Sequence, residues 1–197
     1  MLLHFDCHEP LYVIGDGLYT HELVEYVLNE YMHVKRITRE EYFALPNNAQ
    51  CMIGFHNMQY RISLLEESKN LVRRWPSFIH PQGSASRYAD IGQGVTIGPM
   101  NYVGYGSQVG DFCSTGPFVH IGHGAQLGTN CIINQFSAVG GSTQVGNNVE
   151  VGQSSTIRDK IEICNDVQIC MTSAVTKSIT EPGKYFGNRR VTVDSDK

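Results

Sequence analysis

From Ile91 to Val175 the chain carries one hydrophobic beat every six residues. The beat falls on Ile91, Ile97, Val103, Val109, Thr115, Ile121, Leu127, Ile133, Val139, Val145, Val151, Ile157, Ile163, Ile169 and Val175, and Thr115 alone among them is not aliphatic. Glycine usually follows, as at Gly92, Gly98, Gly110, Gly122 and Gly146. Four residues after the beat stands a small or β-branched side chain, as at Cys113, Ala125, Cys131 and Thr143. A period of six fits neither the 3.6 of a helix nor a long buried strand. It fits a short strand and a turn, repeated, with the aliphatic inward and the following glycine taking the positive φ of a corner; Asn134 replaces that glycine once. Three such strands close a triangular coil, so residues 18 apart stack into columns. One column reads Ile91, Val109, Leu127, Val145 and Ile163; another reads Val95, Cys113, Cys131, Val149 and Val167. Both are apolar, as a dry interior requires. The fifteen beats predict about five coils at the ~4.8 Å spacing of neighbouring strands.

Ahead of the repeat the pattern changes. Leu11–Ile14 reads as a strand, Gly15-Asp16-Gly17 as a turn, and Thr20, Leu23, Val24, Val27, Leu28 and Tyr31 as a helix. Strand, glycine-rich turn and helix open many nucleotide-binding α/β domains, because the turn lets the backbone approach phosphates. A plain β–α turn needs the same glycines, and the third glycine of the fingerprint is absent. Val34–Ile37 predicts a second strand, Thr38 with Glu41 a capping box, Cys51–Phe55 a third strand, and Gln59–Arg74 a helix with Ile62, Leu65, Leu71 and Val72 on its apolar face. Ser77–Ile79 is a last strand before His80-Pro81. The predicted organisation is a small α/β domain at 1–82, the coils at 83–180, and a C-terminal extension at 181–197 that is loosely held from Val191.

Composition narrows the classes. The formal net charge is -4, against the basic face that nucleic acid would require. No apolar run approaches the ~20 residues of a membrane span, and Met1–Pro10 lacks the pattern of a secretion signal. The six cysteines form no CxxC pair, which predicts reduced structural thiols in a cytoplasmic protein.

The chain resembles hexapeptide-repeat sugar acyltransferases of the sialic acid O-acetyltransferase and bacillosamine-type N-acetyltransferase group. The likeness rests on Gly15-x-Gly17, on Phe78-Ile79-His80-Pro81, on the unbroken hexads, and on Gly183-Lys184-Tyr185-Phe186-Gly187-Asn188, where Arg189 replaces the family's proline. It implies a mainly β fold: a left-handed parallel β-helix behind a small Rossmann-like domain. It also implies a homotrimer that transfers an acetyl group from acetyl-CoA to an amine or hydroxyl of a nucleotide-linked sugar in bacterial surface-glycan synthesis. The implied general base is His123, with His120 a possible helper. Family members carry an acid directly after that histidine and a second histidine nine residues on; here these are Gly124 and Ile132. Gly141, Ser142, Gln153 and Met171 match cofactor-binding positions, with Lys177, Arg189 and Arg190 available to CoA phosphates, and Gly15, Asp16 and Gly17 would serve the nucleotide. A metal would need more histidines than the repeat contains, so none is expected. The alternatives are transfer of a different acyl group, or a catalytically impaired prism that serves as a binding or assembly module.

Overall fold

The structure is a computed structural model and describes residues 2–3, 6, 8–24 and 33–191. The chain divides into two compact units, 1–78 and 79–197.

In the first unit, β1 (Leu2–Leu3) lies antiparallel to β5 (Ser77–Ile79). Strands β2 (Leu11–Ile14), β3 (Val34–Ile37) and β4 (Gln50–Ile53) form a parallel sheet in the order β3-β2-β4. Helix α1 (Leu18–Glu22) follows β2, and α2 (Arg39–Phe43) joins β3 to β4. The helical pattern through Val27, Leu28 and Tyr31 falls outside the described residues. Leu11, Val13, Leu23, Val24, Met52 and Phe78 pack into one apolar cluster. The capping box at α2 forms as expected: the Thr38 hydroxyl accepts from the Glu41 N–H at 3.2 Å, and the Glu41 carboxylate accepts from the Thr38 N–H at 2.7 Å.

Helix α3 spans only Met58–Glu67, shorter than the periodicity predicts. The Ser68 hydroxyl donates to the Leu64 carbonyl, a turn follows, and the Arg74 N–H donates to Ala49 O at 3.0 Å, which draws the chain into extended pairing beside β4. The apolar face also differs: Arg61 and Leu64 are the buried residues of α3, and Val72 is exposed beyond its end.

The second unit is a parallel β-solenoid. Its strands are mostly two residues long, and each pairs in parallel with the strand 18 residues on, as Ile121 does with Val139 and Leu127 with Val145. One face stacks Val103, Ile121, Val139, Ile157 and Val175 inward; the second stacks Ile91, Val109, Leu127, Val145 and Ile163; the third stacks Ile97, Thr115, Ile133, Val151 and Ile169. Five coils are too few, since one face carries six strands. Winding starts before the aliphatic beat, where Ser84–Ala85 pairs with Tyr102–Val103. It also outlasts Val175: Ile179 bridges to Ile163, and Gly183–Phe186 pairs with Val167–Ile169. Residues of the expected C-terminal extension thus complete the last turn.

Corner geometry also departs from the sequence expectation. Positive φ falls three residues after every beat but the last, as at Met100 (57°), Phe136 (59°), Ser142 (55°) and Lys160 (57°), with glycine there only at 94, 106 and 124. The glycine directly after the beat answers a different need. A Cβ on Gly122 would lie 2.6 Å from the Gly141 nitrogen, and one on Gly110 would lie 2.6 Å from the Gly128 oxygen. At these two positions the neighbouring coil's backbone lies too close for a side chain.

Thr115 interrupts the aliphatic column without orphaning a polar group. Its hydroxyl oxygen accepts from the Gly98 N–H at 3.0 Å and from Asn101 Nδ2 at 2.6 Å, and Asn101 Oδ1 accepts from the Val119 N–H at 2.7 Å. Cys113 and Cys131 are buried thiols that donate to Gly128 O and Gly146 O.

Candidate functional site

Each solenoid corner repeats every 18 residues, so one edge of the prism is a column of equivalent positions. The corner after the Ile121 face carries Arg87, Tyr105, His123, Gly141 and Asp159 in succession. His123 is exposed. Its main chain is fixed: the Ser142 N–H donates to the His123 carbonyl at 2.9 Å, and the Gly124 N–H donates to the Tyr105 carbonyl at 2.9 Å. The imidazole lies back along the column toward the next coil. A Cβ built on Gly141 would come within 2.9 Å of His123 Cε1 and 3.0 Å of Nε2. The missing side chain at 141 is therefore what makes room for the ring. Beside it, a Cβ on Gly124 would stand 3.4 Å from the Ser142 hydroxyl oxygen, so Ser142 lies near the space an acidic side chain after His123 would have taken.

The flanking surface is aromatic. The rings of Tyr88 and Tyr105 stand 5.0 Å apart, with the Arg87 guanidinium 4.8 Å from the Tyr88 centroid. His120 points outward from the strand that Ile121 anchors and stacks on Tyr102 at 5.4 Å and 12°. On the preceding corner Phe118 and Phe136 stack at 5.1 Å and 9°, both exposed. Apart from His120, sequence reasoning missed these rings because an outward aromatic does not disturb the inward beat. The signal was present in the 18-residue spacing of Tyr102 to His120 and of Phe118 to Phe136.

The structure joins some expected site residues and separates others. His123, Gly141 and Ser142 share one corner. Gln153 and Met171 occupy a different corner, the one after the Ile133 face, where Gln153 accepts from Gln135 Nε2 at 3.0 Å and Met171 is exposed. Arg190 donates to Glu181 at 2.9 Å and is engaged, whereas Lys177 and Arg189 are exposed. No cluster of metal-ligating side chains occurs among the described residues. No helix among them is long and apolar enough to cross a membrane.

The first unit offers a second candidate region at the carboxyl ends of β2 and β3. A cleft of about 400 Å³ is lined by Gly15, Asp16, Glu40, Phe55, Asn57 and Tyr60, among others. A second lobe of about 620 Å³ shares Gly15, Asp16 and Thr38 and adds His21, Lys35 and Arg36. Gly15 and Asp16 therefore line both lobes, whereas Gly17 lines neither and serves as the N-cap of α1. Hydrogen bonds from its own backbone N–H and from Thr38 hold the Glu40 carboxyl below the usual carboxylate range. In open α/β sheets such crevices at strand carboxyl ends are where ligands bind.

Among known proteins, residues 106–141 match the family model "Bacterial transferase hexapeptide (six repeats)". No curated protein sequence matches the chain. Several solved structures share the fold. A variant of perosamine N-acetyltransferase from Caulobacter crescentus, in complex with CoA and GDP-perosamine, superposes with a TM-score of 0.75 at 15% identity, covering 86% of this chain and 90% of that one. The acetyltransferase domain of PglB from Neisseria gonorrhoeae, in complex with acetyl coenzyme A, gives 0.68 at 19% identity over 94% and 99%. WeeI from Acinetobacter baumannii gives 0.59 at 14% identity over 93% and 99%.

Proposed function

We propose that the chain is an acetyl-CoA-dependent acetyltransferase acting on an amine or hydroxyl of a nucleotide-linked sugar, with His123 as general base. The observation that carries this reading is the exposed imidazole seated over Gly141 on a hexapeptide prism. It is supported by neighbours of the same fold whose structures hold CoA and a nucleotide sugar. An imidazole changes charge near neutral pH, so it can take a proton from the acceptor as that atom attacks the thioester carbonyl. The carbonyl carbon gains the acceptor's lone pair, the tetrahedral oxyanion is met by a backbone N–H, and collapse expels the thiolate of CoA, which recovers a proton. Gly141 and Ser142, open beside His123, would receive the pantetheine end of the donor. Gln153 and Met171 stand on a different corner, and in the left-handed homotrimer we infer they would approach a donor from a neighbouring copy. The first unit, read as a Rossmann-like domain, would hold the nucleotide at Gly15, Asp16 and the residues around them. The pathway would be cytoplasmic synthesis of a bacterial surface glycan.

The test is thiol release from acetyl-CoA with a panel of nucleotide-linked amino and hydroxy sugars. The wild-type chain should turn over, and His123→Ala should lose roughly 10²–10⁴-fold in kcat, the span that one positioned base contributes. Gly124, where a neighbouring acid would strengthen the base, favours the second reading, a binding module. CoA binding without thiol release in wild type would establish that reading instead.

A further inference from the structure

We propose that Asn188 is a positioning residue for the donor: it clamps the far end of the His123 edge so that Lys177 and Arg189 together receive the phosphates of acetyl-CoA. This rests on the acetyl-CoA reading above and adds the side chain that places the two cations.

The edge that carries His123 and Gly141 continues through Asp159 and ends at Lys177, because Ile157 pairs with Val175 one coil on. Three coil rises separate Lys177 from His123, about 14 Å along the prism at the spacing of neighbouring strands. An extended pantetheine arm reaches that far from thiol to diphosphate. Beyond Gly141 the edge turns basic. Arg158, Lys160 and Lys177 are exposed on its last two corners. Asp159 stands beside Arg158, at 3.8 Å, and neither lysine has an ion-pair partner among the described residues.

The corner at Lys177 has no coil above it. In the coils below, the N–H after each beat donates to the next beat's carbonyl: Gly140 to Ile157 O and Arg158 to Val175 O, both at 2.9 Å. At Thr176 that ladder would end. Asn188 continues it, since its Oδ1 accepts from the Thr176 N–H at 2.8 Å. The same oxygen accepts from the Lys177 N–H at 3.0 Å and from Thr176 Oγ1 at 3.1 Å, and Nδ2 donates to the Lys177 carbonyl at 2.6 Å. Closing the ladder needs only the first of these bonds. The other three fix the backbone from which the Lys177 side chain leaves.

Asn188 lies in the turn between Gly183–Phe186 and Arg189–Arg190. That turn is itself pinned to the last coil, where the Gly187 N–H donates to Ser173 Oγ at 3.1 Å. Arg189 follows the clamp directly and is exposed, whereas Arg190 is held by Glu181. The clamp therefore brings the corner of Lys177 and the strand of Arg189 to one place, although they are distant in sequence. Two cations converging on one phosphate group give charge-assisted bonds stronger than either would with its own backbone loose.

The experiment is calorimetric titration of the full chain with CoA at several salt concentrations. Asn188→Ala should weaken CoA binding about tenfold, the scale of one hydrogen bond to a charged group. It should also flatten the salt dependence of the affinity, because screened charge contacts are what it loses. Thr176→Val removes only the Oγ1 bond, so it should change both readouts in the same direction by less, and it carries the test if Asn188→Ala does not fold. Lys177→Ala with Arg189→Ala should weaken CoA binding at least as much, and adding Asn188→Ala to that pair should change nothing further. Weakening by Asn188→Ala that is as large on the paired background, or that leaves the salt dependence intact, would mean the clamp only holds the coil and would overturn the proposal. CoA affinity unchanged in the Lys177/Arg189 pair or in Asn188→Ala would overturn it as well, with the acetyl-CoA reading surviving. If the wild-type chain binds no CoA, that reading falls too.

Discussion

Position 141 shows what a single residue controls here. Glycine is present because the His123 imidazole occupies the space a Cβ would take, at 2.9 Å. Gly141→Ala should displace the ring and lower kcat by roughly tenfold or more, since misplacement of a catalytic group by an ångström costs about that or worse. Kinetics beside a thermal melt would check this, and the melt should move little because the corner is open to solvent. Lys160 illustrates the opposite case. Its backbone holds φ 57° although glycine is the residue suited to it. A left-handed conformation costs an L-residue roughly 1–2 kcal/mol, and added chain entropy offsets part of any gain from glycine. Lys160→Gly should therefore raise the melting temperature by about 1–3 °C, measured by calorimetry.

Among the elements, β4 and its continuation carry a titratable group with a stability consequence. His56 follows β4 and packs against Tyr19, with the ring centroids 3.8 Å apart and the planes tilted by 34°. Burial, with the Arg61 charge adding to it, lowers its pKa from 6.5 to about 4, and its Nε2 has no hydrogen-bond partner. The folded state resists protonation, so its full stability is present above pH 6.5. That stability declines as pH falls from 6.5 to about 4, by up to about 3 kcal/mol, and levels off below. Denaturant melts across this range should show the decline, and His56→Leu should flatten it. The truncated α3 belongs to the same scale. Helical periodicity in the sequence ran to Arg74, but pairing of Arg74 with the β4 edge took the last turns away. Local propensity yields when a tertiary hydrogen bond competes for the same backbone.

At the scale of the molecule, the solenoid is built from nearest-neighbour coils, so its stability is close to a sum over them. Removing residues 142–159, one full turn, keeps every column in phase and should leave a cooperatively melting β structure. Removing nine residues from the same place rotates the aliphatic beat out of phase and should abolish the cooperative transition. Circular dichroism melts of the two deletions would compare them directly. The exposed rings of Phe118, Phe136, Tyr102 and Tyr105 crowd two corners and the face between them. That concentration accords with the homotrimer proposed above, which sedimentation equilibrium would weigh.

The sequence by itself determined the repeat, its 18-residue stacking and the inward columns, because a strict period leaves the backbone few ways to bury its aliphatics. It also supplied the capping box at Thr38, which depends on neighbours close in the chain. Tertiary structure alone decided why glycine follows most beats, since the constraint comes from a backbone one coil away. It likewise decided that His123 rests on Gly141, that Gln153 and Met171 stand at another corner, and that Glu40, Phe55 and Asn57 meet in one cleft. Those contacts join residues distant in sequence, and no local pattern records them.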